Sequence, residues 1–254
     1  MKDYSVLVGS HQEVEDQIVQ PGLRPPLNSC NSIPQSIQIG DNKWKLVGRG
    51  VRFAVYSNGH EVTKLPLCPA QLIDDRKSAN YPFQTTAEAV HQYWANISSI
   101  REVQRRLLNG ILPAHLLGHP TIRKDGSIVQ GRLTPLGNLL GISTELDIRG
   151  FVDGVVDCIR IMVRRGYMSP FFALPIDYAV HSNGYIVMIG LGSPLFDKDA
   201  ALRELGRKPW HTHVSGVHLM PTPERTYYIA QMELALTSAI VSREWASDLH
   251  TMEY

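Results

Sequence analysis

Residues Trp44 to Leu65 read WKLVGRGVRFAVYSNGHEVTKL. Short runs rich in Val, Phe, Tyr and Thr alternate with glycine-containing breaks, which predicts two or three antiparallel strands. Val47-Gly48-Arg49-Gly50 is the expected first turn and Ser57-Asn58-Gly59 the second. Asn-Gly between β-forming runs is a strong hairpin signal, because both residues tolerate a positive φ. Gly48 and Gly50, two apart and without side chains, would let backbone approach a phosphate closely. Lys64 then falls inside the apolar run Val62 to Leu67. A buried ammonium is costly unless it meets an anion or a good acceptor, so Lys64 is expected to face one.

Composition sets the outer limits. A chain of 254 residues with 43% hydrophobic content is large enough to bury a full core, as one domain or two lobes. A net charge of +1 gives no electrostatic case for a nucleic acid or an anionic membrane as partner. Cys30, Cys68 and Cys158 lack metal-site spacing and read as free thiols of a reducing compartment. No apolar run approaches the length of about 20 residues that a membrane span needs. The expected location is the cytoplasm; the same composition suits a protein delivered by a dedicated secretion machine.

Ordered as glycine turn, hairpin and strand lysine, the opening stretch resembles the start of the small lobe of a protein-kinase-like domain, with two of that family's three glycines present. The likeness runs over residues 44 to 200 and rests mainly on the order of elements. It implies an α+β, bilobal protein-kinase-like fold: a small antiparallel sheet with one long helix, then a mainly helical lobe. Residues 1–40, interrupted by Pro21, Pro25 and Pro26, read as an extended or flexible arm. Residues 41–136 form the expected small lobe and 137–254 the helical lobe.

Thr85 with Glu88 three residues later is a capping box that opens a helix. Its apolar positions run from Val90 to Leu108, with Asn109-Gly110 closing it and Ser98-Ser99 as a candidate break. The resemblance implies that Glu102 on this helix pairs with Lys64. Read from the residues alone, Glu102 is one solvated charge among Arg101, Arg105 and Arg106, and Glu88 already has a capping task. The implied nucleotide-facing set is Gly48, Gly50, Lys64, Glu102, Gln130 and Gly190.

The stretch GYMSPFFALPIDYAVHSNGYIVMIGLG, residues 166–192, occupies the place of the family's catalytic and metal-binding loops. Family members carry an aspartate in the first loop, then an asparagine, then an aspartate that holds magnesium. Here Met168-Ser169-Pro170-Phe171 brings no carboxylate, Asp177 stands near the asparagine position, and Gly190 stands at the metal aspartate. Architecture is therefore expected without catalysis: a pseudokinase-like module that binds a protein partner or regulates one. Its candidate occupant is ATP or another nucleotide without magnesium. Phe171, Phe172 and Trp210 are the expected interaction anchors. Two alternatives remain. One is an atypical phosphotransferase or nucleotide transferase with Asp177 as metal ligand, helped by Asp197 or Asp199. The other is an unrelated α+β interaction domain with a structural lysine. His211, His213 and His218 lack partners at metal-ligand spacing and read as loop histidines.

Overall fold

The computed structural model describes residues 33–50, 52–73, 85–140, 142–170, 177–191, 194–211 and 217–245. The first lobe is a six-stranded antiparallel sheet of order β1-β2-β3-β4-β6-β5. Its strands are β1 (Ser36–Ile39), β2 (Asn42–Arg49), β3 (Phe53–Ser57), β4 (Glu61–Pro66), β5 (Thr121–Ile122) and β6 (Ile128–Gly131). One long helix, α1 (Thr86–Leu108), is inserted between β4 and β5. The second lobe opens with β7 (Thr134–Pro135), α2 (Gly137–Leu140) and α3 (Glu145–Arg164). It continues through β8 (Tyr178–Val180), β9 (Ile186–Met188), α4 (Lys198–Leu205), α5 (Thr222–Ala235) and α6 (Ser238–Glu244). The fold is thus α+β and bilobal, an antiparallel sheet lobe with one long helix followed by a helical lobe. This is the arrangement that the kinase-like resemblance implied.

Local chemistry accounts for most of these elements. The β3–β4 turn is held by Asn58, whose Oδ1 accepts from the amides of His60 and Glu61 at 3.0 and 2.8 Å. Gly59 supplies the positive φ of 102° that this turn needs. The capping box of α1 forms as read: Glu88 N–H donates to Thr85 Oγ1 at 3.2 Å and Thr85 N–H to Glu88 Oε2 at 2.9 Å. A second box, Thr144 with Asp147, opens α3.

Three sequence expectations shift. Residues 36–39, expected within the arm, form edge strand β1 against β2. Ile37 and Ile39 pack on the sheet's core cluster while Ser36 and Gln38 face out, so half of a real strand looked polar. Gly48 lies inside β2 at a register irregularity between Leu46 and Gly48, and the turn falls later, where Gly50 N–H donates to Phe53 O at 2.8 Å. Helix α1 runs unbroken through Ser98-Ser99. Helix α5 ends at Ala235, and Thr237 caps a separate α6, accepting from Ile240 N–H at 3.2 Å. Residues 1–32 and 246–254 lie outside the described residues.

The core has two parts. Trp44, Ala54, Tyr56, Leu67, Leu72 and Ala89 close one face of the sheet. The larger cluster is continuous across both lobes, joining Phe53, Ile128, Ile100 and Val103 to Leu136, Met188 and the buried face of α3. The lobes therefore share apolar packing on the side of the sheet that carries Lys64.

Candidate functional site between the lobes

Strand register assembles the site. Gly48 pairs with Val55, Val55 with Lys64, and Lys64 with Ile128, one row across β2, β3, β4 and β6. Cross-strand partners share a face, so the glycine strand and the lysine meet on the surface that looks to the helical lobe. Thr63, fully buried, takes the opposite face.

Lys64 reaches the second lobe. Its Nζ donates to the backbone carbonyl of Ile189, just beyond β9 in the second lobe. The residue as a whole is half-buried, and its ammonium is surrounded by protein. That enclosure lowers its pKa from 10.5 to about 8, and the negative charge of Asp177 pulls the other way.

Asp177 is placed by backbone hydrogen bonds: its carbonyl accepts from Ile189 N–H at 2.6 Å and Gly190 N–H at 3.0 Å. Its side chain lies directly over the Cα of Gly190. A Cβ built on Gly190 would sit 2.8 Å from the Asp177 Cβ and closer still to the carboxylate. Glycine at 190 is what lets this carboxylate occupy the spot. The acid missing from the metal-loop position is thus answered by the acid thirteen residues earlier.

Glu102 does not join Lys64. Its carboxylate takes Arg105 in two hydrogen bonds, at 2.8 and 2.6 Å, and Arg106 Nε at 2.7 Å. The Arg105 hydrogen bond foremost, then Arg106, holds its pKa below the ordinary range, against a partial desolvation that raises it. Lysine's acidic neighbour is Asp177 instead, a correction to the pairing expected on α1. An acid one turn from two arginines on its own helix meets them without any tertiary movement.

The remaining expected residues divide. Gln130 is 3% exposed, and its Nε2 donates to Leu117 O at 2.7 Å, tying β6 to the 3-10 turn Ala114–Leu117. Its amide nitrogen serves the fold rather than a ligand. Trp210, expected as an exposed anchor, is 2% exposed and belongs to the shared core. An aromatic in a loop-like stretch looked available only because its burial comes from distant helices. Phe171 and Phe172 lie outside the described residues. Asp197 caps α4, accepting from Ala200 N–H at 2.7 Å, and Asp199 sits in that helix's first turn. His211 meets Glu233 at 3.0 Å, His218 gives its carbonyl to Arg225, and His213 lies outside the described residues.

Arg106 was missed by the sequence reading. It continues the buried progression Ile97, Ile100, Val103 at intervals of three, which was the available signal. No cluster of three or more His, Cys, Asp or Glu suited to a metal occurs among the described residues. Around Gly190 the described residues bring one carboxylate, that of Asp177, against a position with no side chain.

These elements define the class: an α+β, bilobal domain whose sheet turns a lysine toward the second lobe, with a long helix beside it. No family model and no curated protein matches the chain. Among solved structures, the 2.2 Å crystal structure of WbdD matches with a TM-score of 0.42 and 11% identity, over 83% of this chain and 52% of that one. The chain spans about half the length of that structure, and so low a score leaves the fold to rest on the elements themselves. No helix among the described residues is long and apolar enough to cross a membrane.

Proposed function

We propose that this chain is a kinase-like binding module, pseudokinase-like in its chemistry, that acts on a protein partner without transferring phosphate. The observation that carries the reading is the use of Lys64, whose ammonium donates to the Ile189 carbonyl and faces Asp177. Phosphoryl transfer depends on positioned charge at the transferring group, supplied by lysine, metal and carboxylates. In this chain the lysine joins the two lobes, the helix acid serves arginines, and the metal-loop position is glycine. ATP or another nucleotide is the candidate small-molecule occupant, taken without magnesium. A second reading, an atypical phosphotransferase, is favoured by one feature only: the Asp177 carboxylate beside the lysine.

Two measurements test the choice. Thermal shift with ATP, with and without magnesium, should show no metal-dependent stabilisation. Transfer of labelled phosphate from ATP to the protein or to a generic substrate should be undetectable. Labelling that disappears in Asp177→Ala would replace this reading with the phosphotransferase.

A further inference from the structure

We propose that Arg106 rivets the two lobes in one closed setting, with Glu102 as its positioning residue. This goes beyond the binding reading, because it concerns how the lobes are held whatever the module binds.

Arg106 lies on the helix of the sheet lobe yet ends in the other lobe. It is 8% exposed, and its Nη1 donates to the carbonyls of Arg165 at 3.4 Å and Gly166 at 3.2 Å. Arg165 is the C-cap of α3 and Gly166 follows it. The last carbonyls of a helix lack partners within it and carry partial negative charge. A guanidinium brought from α1 therefore caps α3 from outside. The same group lies 4.3 Å from the Phe196 ring centroid, just before α4. Phe196 in turn meets Tyr167 edge to face at 5.8 Å. One side chain thus contacts two segments of the helical lobe.

Helix α1 is tied equally to its own sheet. Gln104 Nε2 donates to Ile122 O at 2.7 Å and Arg101 Nη2 to Lys124 O at 3.3 Å. With both sides fixed, α1 cannot leave the helical lobe without breaking the buried, charge-assisted Arg106–Gly166 contact, nor its own sheet without breaking the Gln104 and Arg101 bonds. Glu102 neutralises the guanidinium and orients Nε through its 2.7 Å bond, leaving Nη1 for the carbonyls. The planar fork is needed: a lysine ammonium could not face Glu102, two carbonyls and an aromatic ring together.

The test uses the full chain with nitroxide labels at His60→Cys on the sheet lobe and Leu234→Cys on the helical lobe, both exposed, in a Cys30→Ser background. Cys68 and Cys158 are buried. The unmodified lock should give one narrow inter-label distance distribution by pulsed electron resonance. Arg106→Met should broaden it toward longer distances and speed amide exchange over residues 165–168 at least tenfold. Glu102→Gln, which keeps the shape and an acceptor, should give a smaller change in the same direction. A folded Arg106→Met with an unchanged distribution would overturn the proposal even if its melting temperature falls. Should that variant not fold, Arg106→Lys is measured instead, and an unchanged distribution there overturns it equally.

Discussion

Gly190→Ala is the sharpest probe of the site, because its cost is decided by one neighbour. The new Cβ would lie 2.8 Å from the Asp177 Cβ and nearer to its carboxylate, so the acid must leave its place. Overpacking of this kind costs about 1–3 kcal/mol. Moving the carboxylate also removes the charge that counters burial of the Lys64 ammonium. A total of about 2 kcal/mol corresponds to roughly 4–8 °C in melting temperature for a chain of this size. The assay is a double-mutant cycle by urea unfolding at neutral pH, combining Gly190→Ala with Asp177→Ala. Without the carboxylate, alanine at 190 meets only the Cβ at 2.8 Å, and its added cost should fall by at least about 1 kcal/mol. Additive costs, within about 0.5 kcal/mol, would show that the two positions do not share this space.

Lys64 gives a pH signature. Its folded pKa of about 8 lies below the ordinary 10.5, so between these values the unfolded chain holds more protons than the native one. Stability from this group therefore rises with pH from about 8 to about 10.5, by at most about 3 kcal/mol and less because Lys64 is only half-buried. Below about pH 8 the penalty for burying the charge is present in full. Lys64→Met should lack the rise; the buried tyrosines Tyr167, Tyr178 and Tyr228, raised by burial, work in the opposite sense in both proteins. An identical rise in the variant would remove Lys64 as its source. Trp210→Ala should cost about 3–5 kcal/mol in chemical unfolding, as for a core aromatic. A loss under about 0.5 kcal/mol would instead return Trp210 to the surface.

Much of the frame was legible in the sequence because its causes are local. Asn58 and Gly59 set a turn, Thr85 with Glu88 starts a helix, and Gly184, with a φ of 83°, closes the β8–β9 turn. Each acts through hydrogen bonds or φ values spanning two to four residues, and the alternation of apolar positions then fixes which face is buried. Chain order alone carried the bilobal layout. Tertiary structure decided what the charged groups do. Lys64 finds a carbonyl 125 residues away, and Arg106 finds one 60 residues away. Glu102 had several cations in reach, and packing, not spacing, left Lys64 facing Asp177. Trp210 in its loop and Ile37 in its polar stretch carry no local mark of burial, since the surfaces that cover them come from elsewhere in the chain. A hydrogen-bond donor accepts any well-placed acceptor at similar free energy, so its partner is fixed only once the fold brings one acceptor into position.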